Sequence, residues 1–342
     1  MNNVSGDTIL ELKNLRTSFR VGKDFYAAVD GVNLEVKKNE VFAIVGESGS
    51  GKTALALSIL RLHNLNYTRV TGEVLFNGVD LLSLSKNELN KYRGAKIGMI
   101  FQDALSALNP LFKIGFQIEE VFKYHTDLDA QARKVRAIQL IADVGIKNPE
   151  LVYSQLPYQL SGGMRQRAMI ACALACSPEL IIADEPTTAL DVTIQAQILD
   201  LIRDLQANMG STVILITHDL GVVAEMADRV AVMYAGEIVE VGDVRSIFKN
   251  PQHPYTRSLI ASIPNMEKQE ESLHVIKGMV PPLHLLPREG CRFRHRTVWL
   301  PDGIHEENPT YHEITPGHKV LCTCYKDFFF EGEEPNAKGQ VS

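Results

Sequence analysis

The run Gly46-Glu47-Ser48-Gly49-Ser50-Gly51-Lys52-Thr53 constrains this chain more than any other stretch. It fits the spacing G-x-x-x-x-G-K-[ST], a P-loop. The apolar run Val41–Val45 precedes it and the helix-like run Ala54–His63 follows, so the loop joins a strand to a helix. Glycines let backbone N–H groups curl around phosphate oxygens, and the following helix presents its positive end to the same anion. Lys52 supplies a point charge for β- and γ-phosphates, and the Thr53 hydroxyl suits Mg²⁺.

The surrounding pattern reads as a mostly parallel sheet covered by helices. Residues 8–45 read as strands, and 72–101 hold more short ones, with a turn at Asn77–Gly78. From about 113 to 176 the pattern is helical, and the apolar runs 180–184 and 212–217 bracket a helix around 193–208. The composition shifts near 250: residues 250–264 form a turn and short helix, 265–273 a polar linker. A small appended module with many Pro, His and aromatic residues follows to about 330, and 331–342 are expected to be a disordered tail.

With 342 residues, the chain is long enough for one large α/β domain plus that appendage. A formal charge of -6 gives no global field for nucleic acid, so none is expected as a partner. The N-terminal residues lack a basic start and apolar run, and no stretch of about 18 apolar residues occurs. Any membrane link is therefore expected to run through a partner. The cysteines number five, an odd count that argues against a disulfide framework and for the cytoplasm.

Two further segments carry chemistry. Leu180-Ile181-Ile182-Ala183-Asp184-Glu185 places two carboxylates at the end of an apolar strand, where parallel sheets bind ligands. Asp184 suits Mg²⁺, and Glu185 suits the general base that polarises an attacking water. Leu160-Ser161-Gly162-Gly163-Met164-Arg165-Gln166-Arg167 places Ser161, Gly162 and Gly163 at a helix start, a second phosphate-type site.

LSGGMRQR resembles the signature motif of the ABC ATPase superfamily, and the other landmarks of that family fall in order. Gln102 in MIFQD resembles the Q-loop glutamine that senses γ-phosphate and Mg²⁺. Ala189-Leu190-Asp191 resembles the D-loop, and His218 in LITHDL the switch histidine on the γ-phosphate. Phe19 lies where the family places an aromatic on adenine, with Tyr26 the competing candidate. The resemblance implies a P-loop NTPase fold of ABC type, with a RecA-like core, an antiparallel β subdomain and a helical signature subdomain over about 104–165, all within an ATP-binding domain 1–264. It also implies head-to-tail pairing, each ATP lying between one P-loop and the partner's LSGGMRQR. Glu185, His218 and Gln102 would then be catalytic, with Thr53, Gln102 and Asp184 around Mg²⁺.

A narrower resemblance lies in FQDALSALNP (101–110), MYAGEIVEVG (233–242) and NPQHPYT (250–256), which are similar to segments of peptide and nickel importer ATPases. It makes 265–330 the C-terminal extension of that group. It implies a peripheral protein on the cytoplasmic face of the membrane, two permease subunits, a second homologous ATPase and an extracellular peptide-binding lipoprotein. An oligopeptide or dipeptide substrate is expected, with nickel as the alternative. A soluble ABC ATPase of DNA repair or translation is a further alternative; the single P-loop and the short insertion between Gln102 and Ser161 speak against it. Segment 104–158 is the expected docking surface.

The C-terminus departs from that group, many of whose members carry four cysteines resembling an iron–sulfur site. Cys291 and Cys322 fit, but Thr297 stands at the second cysteine position and the third falls near His305. Cys291, Cys322 and Cys324 with His305 are suitable ligands for Zn²⁺ or an iron–sulfur cluster; the alternative is a degenerate segment of buried thiols. Cys322 and Cys324 alternate, so a strand would put them on one face. Cys172 and Cys176, one helical turn apart, read as core.

Overall fold

The computed structural model describes residues 7–188, 191–263 and 278–331. Among them, strands in chain order are β1 Thr8–Val21, β2 Asp24–Lys37, β3 Val41–Val45, β4 Thr68–Phe76, β5 Val79–Asp80, β6 Ile97–Ile100, β7 Leu180–Asp184, β8 Thr212–Thr217, β9 Arg229–Tyr234, β10 Glu237–Asp243, β11 Tyr311–Thr315 and β12 His318–Leu321. The chain divides into two compact units. One comprises Met1–Leu10, Glu35–Val41 and Leu75–Ile216; the other comprises Glu11–Leu34, Phe42–Val74 and Thr217–Ser342.

In the first unit, β6, β7 and β8 run parallel, with Ile97 opposite Leu180 and Asp184 opposite Ile216. Every residue of these strands is buried. That is the mark of a parallel sheet covered on both faces, and it explains the unbroken apolar runs in the sequence. Asn77 and Gly78 form the turn between β4 and β5, both with positive φ (47° and 80°), and Phe76 pairs with Val79 across it.

The stretch between β6 and β7 is helical. Its longer helices are Ile114–His125, Ala130–Asp143, Pro149–Ser154 and Gly162–Leu174. Asp129 and Ser161 cap two of them by accepting Ala132 and Met164 N–H groups, as short polar residues at a helix start should. The helices are tied together by Tyr153, whose hydroxyl donates to Glu119. Arg167 adds a second tie, donating to the Val144 carbonyl at 2.7 Å. The helix Val192–Met209 starts on an Asp191 cap and ends at Gly210, which takes the left-handed conformation (φ 62°). Cys172 is only half-buried, and Cys176 lies beyond the helix that ends at Leu174, so the pair is not the core pair that helical spacing predicts.

In the second unit, β3 pairs parallel with β9, which continues through antiparallel β10 and β12 to β11. The carboxyl end of β9 enters a core of Tyr234, Tyr255, Phe293, Cys291, Cys322 and Cys324. Tyr234 and Tyr255 lie 4.7 Å apart, and Phe293 sits 5.2 and 5.5 Å from them. The C-terminal residues thus pack on the strand system and do not form a core of their own. The polar stretch 265–273 and the tail beyond Glu331 lie outside the described residues.

Glu240 on β10 holds that packing in place. It is fully buried, and its carboxylate oxygens accept the N–H groups of Gln252 and His253 at 2.8 Å each and contact His318 Nε2 at 2.7 Å. It therefore fixes the chain segment Asn250–Thr256 against β10 and β12. Glu240→Ala strands two buried donors and is expected to cost roughly 2–4 kcal/mol, read by urea unfolding. A loss below about 1 kcal/mol would show that the segment holds itself in place.

Candidate functional site

The P-loop lies in the second unit, between β3 and the helix Lys52–Ile59. Two of its glycines are obligatory. A Cβ on Gly46 would lie 2.2 Å from the Met233 carbonyl oxygen, and one on Gly51 (φ 108°) would lie 2.4 Å from that of Ala28. The loop closes on itself: Ser50 N–H donates to the Glu47 carbonyl at 3.2 Å. Lys52, buried, folds back so that Nζ donates to the Gly46 and Glu47 carbonyls at 2.7 and 3.1 Å. The Ser50 hydroxyl is buried with no hydrogen-bond partner, and Ser48, Gly49 and Thr53 are exposed. Buried donors without partners are uncommon, so the loop is arranged for an oxygen-rich ligand and not for its own satisfaction.

The same unit holds His218, exposed one residue beyond β8 and before the Asp219 cap of helix Leu220–Met226. Both aromatic candidates are half-buried: Phe19 meets His63 edge-on at 5.2 Å and Tyr26 meets His284 edge-on at 6.5 Å.

The first unit brings Gln102 and Glu185 together. Gln102 follows β6 and Glu185 follows β7, and Gln102 Nε2 donates to Glu185 Oε2 at 2.9 Å. Thr188 Oγ1 donates to the same oxygen at 2.9 Å. Glu185 itself adopts a positive φ of 45°, uncommon for a non-glycine residue, while its N–H donates to the Ile216 carbonyl at 2.9 Å. The strand pairing thus continues one residue past Asp184 and then breaks, leaving Asp184 buried and Glu185 partly open. On the helix that Ser161 caps, buried Gln166 donates to the Pro186 carbonyl at 2.6 Å, tying the signature segment to the loop after Glu185. Ser161 and Gly162 remain exposed at that helix start, Gly163 is half-buried, and Asp191 is exposed while capping the next helix. Ala189 and Leu190 lie outside the described residues.

In the second unit Cys291, His305, Cys322 and Cys324 converge, all buried, with their ligand atoms within 4.8 Å of one another. Cys322 and Cys324 do not share a strand: β12 ends at Leu321, Cys322 turns away with φ 70°, and Cys324 lies in the following tight turn. Hydrogen bonds from Cys291 and Cys324 hold the Cys322 thiol far below its ordinary range, while the same contact with Cys322 pushes Cys291 up to about 12.

Sequence reasoning missed what supports the P-loop from afar. The Glu47 N–H donates to the Tyr255 hydroxyl at 2.7 Å, and Arg296 Nη1 reaches the Glu47 carboxylate at 2.5 Å. Arg292, also buried, donates to the Ala235 carbonyl at 2.6 Å and pairs with Asp30, which Arg16 and Arg288 also reach. Tyr255 and Arg296 stand 208 and 249 residues from Glu47, so no local pattern signals them. Arg296→Ala is expected to loosen the loop and weaken ATP binding about tenfold, with Arg296→Lys recovering part of the loss. Nucleotide titration reads this, and unchanged affinity would show that Arg296 serves the fold alone.

The ABC transporter family model matches residues 29–188, and the model for the oligopeptide/dipeptide transporter C-terminal region matches 239–297. The chain is 48% identical over 334 residues to the oligopeptide transport ATP-binding protein OppD of Lactococcus lactis subsp. cremoris, covering 97% of this chain and 98% of that protein. It is 49% identical over 315 residues to the OppD protein of Bacillus subtilis, covering 91% and 87%. Among solved structures it is similar to a dimeric ATP-binding cassette in a post-hydrolysis state with ADP and phosphate, at TM-score 0.62 and 33% identity over 69% of this chain and 99% of that one. The chain therefore belongs to the ABC transporter ATP-binding proteins, in their oligopeptide transport branch.

Proposed function

We propose that this chain is the ATP-hydrolysing subunit of a membrane complex that imports oligopeptides or dipeptides. The observation that carries the reading is the Gln102–Glu185 hydrogen bond of 2.9 Å, which joins the carboxylate suited to activate water to the loop leading into the exposed helical segment. The P-loop backbone and Lys52 bind the phosphates, and Glu185 takes a proton from the attacking water. Mg²⁺ fits the residues present: Asp184 is a buried carboxyl at a strand end, and the Thr53 hydroxyl is exposed at a helix start. With Gln102 they would hold the ion, which neutralises phosphate charge when bound. His218 would contact the γ-phosphate, and Ser161, Gly162 and Gly163 would serve the ATP held by a partner subunit. Asp191 would lie at that same junction.

The partners are two permeases, a second homologous ATPase and an extracellular peptide-binding lipoprotein, placing the chain on the cytoplasmic face of the membrane. No helix among the described residues is long and apolar enough to cross a bilayer. Support for the docking surface comes from exposed apolar side chains just beyond Gln102: Leu105, Leu111, Phe112 and Phe116, the last two stacked at 4.9 Å. Gln117 braces this stretch by donating to the Asn109 and Phe112 carbonyls at 3.1 and 2.9 Å. An apolar patch beside a nucleotide-sensing residue suits an interface whose movement follows the γ-phosphate. We further propose the division of the chain into an ATP-binding domain to about 264 and the importer extension beyond it.

Glu185→Gln is expected to retain ATP binding while hydrolysis falls at least about 100-fold; unchanged turnover would remove Glu185 as the base. Leu111 is 81% exposed, so Leu111→Asp spares the fold. It is expected to abolish co-purification with the permeases from membranes while nucleotide affinity stays as in wild type. Full recovery of the complex would move the docking surface elsewhere.

A further inference from the structure

A strand end alone does not aim a carboxylate. Glu185 leaves β7 at a positive φ of 45°, and its side chain turns about several single bonds, so the backbone does not fix where its oxygens lie. Two donors fix them. Gln102 Nε2 and Thr188 Oγ1 each donate to Oε2 at 2.9 Å. These donors differ in how firmly they are held. Gln102 is exposed and comes from a loop 83 residues away in sequence. Thr188 is half-buried and lies three residues beyond the carboxylate it serves.

A tight turn delivers Thr188. Its N–H donates to the Glu185 carbonyl at 3.2 Å, closing the four residues 185–188. Pro186 stands second in that turn, where its fixed φ suits the bend. Pro186 and Thr187 are buried, and buried Gln166 donates to the Pro186 carbonyl at 2.6 Å. The turn is clamped at its middle, and the hydroxyl at its end returns to the side chain at its start. The backbone bond alone closes the turn. The bond from the hydroxyl to the carboxylate is therefore a second contact that the turn does not require.

We propose that Thr188 is a positioning residue for the Glu185 carboxylate, holding Oε2 so that the group meets the attacking water in one orientation. This rests on the reading of Glu185 as the base. A hydroxyl suits the task. An ionised carboxylate only accepts hydrogen bonds, so donors must orient it. A lysine or arginine would do so by pairing its charge and would weaken it as a base. A neutral hydroxyl on a short side chain fixes the direction and leaves the charge in place. The proton from water passes to the carboxylate, and Thr188 keeps its own. Gln166 lies on the helix that Ser161 caps, so the same turn joins the signature helix to the base.

The test is steady-state ATP hydrolysis by the full-length chain, with nucleotide titration and Tm measured on each variant. Thr188→Val keeps the shape and removes the donor. Its kcat is expected to fall about 10- to 100-fold, while KM for ATP and nucleotide affinity stay within about twofold of wild type. Thr188→Ser returns the donor and should bring kcat to within about threefold of wild type. Thr188→Ala makes the same deletion with less bulk if the valine variant does not fold. In a Glu185→Gln background, Thr188→Val should change the residual rate by less than about twofold, because the carboxylate it positions is gone. Wild-type turnover in Glu185→Gln would remove the base itself. Lost turnover in Glu185→Gln with a wild-type kcat in Thr188→Val would leave the base and overturn the positioning role alone. A raised KM at unchanged kcat, or equal losses in the serine and valine variants that follow Tm, would also overturn it.

Discussion

Backbone N–H groups can hold phosphate only if their loop is prevented from satisfying them itself. That constraint organises the second unit. Glycines at 46 and 51 let the backbone pass within van der Waals reach of the Met233 and Ala28 carbonyls, where no side chain fits. The loop's first turn is then pinned from outside, through the Tyr255 hydroxyl on the Glu47 N–H and Arg296 on the Glu47 carboxylate. Burial raises the Tyr255 phenol well above its ordinary range, so it stays a neutral hydroxyl at any physiological pH. With the entrance fixed and Lys52 folded onto the Gly46 and Glu47 carbonyls, the remaining donors need not reorganise when an anion arrives.

The first unit solves a complementary problem, that of aiming a carboxylate. Asp184 and Glu185 are adjacent, yet one is buried at the end of β7 and the other is partly open. The break comes from Glu185 itself, whose positive φ ends the strand while its N–H still pairs with Ile216. Two donors, Gln102 and Thr188, then fix one carboxylate oxygen. Because Gln102 opens the loop toward the exposed Leu111 and Phe112, displacement at that surface can reach the carboxylate through a single hydrogen bond. Gln166 makes the opposite link, from the signature helix to Pro186. If a partner docks there as proposed, short paths of this kind let the docked state and the nucleotide state bias each other.

Much of this was legible in the sequence because it depends on local chemistry. The P-loop spacing, the apolar runs of β7 and β8, the Asn77–Gly78 turn and the helix after Asp191 each follow from residues within a few positions of one another. What was not legible depends on distance or on local strain. Arg296 and Glu47 are ordinary charged residues until the fold joins them. On a strand, alternation would give Cys322 and Cys324 one face, but β12 ends at Leu321 and Cys322 turns away through a conformation unfavourable to any residue with a side chain. Spacing likewise placed Cys176 on a helix that ends before it. For adenine, Phe19 and Tyr26 each meet a histidine edge, so neither is set apart by its packing.

The C-terminal segment is held by few contacts and little apolar material. β11 alternates exposed and half-buried positions along its whole length, and β12 meets β10 at only two residue pairs, Glu240 with Val320 and Val241 with Lys319. A hairpin so attached is marginal without further support. The aromatic trio of Tyr234, Tyr255 and Phe293 supplies some, and the buried Glu240 carboxylate, anchoring His253 and His318, supplies more. The turns carrying His305, Cys322 and Cys324 bring polar atoms into that core, where the Glu306 N–H donates to the Cys322 sulfur at 3.4 Å and the Thr297 hydroxyl meets His305 Nε2 at 3.2 Å. The loop at 291 runs directly into Arg292 and Arg296, so order at the thiols and order at the P-loop entrance are parts of one packing arrangement.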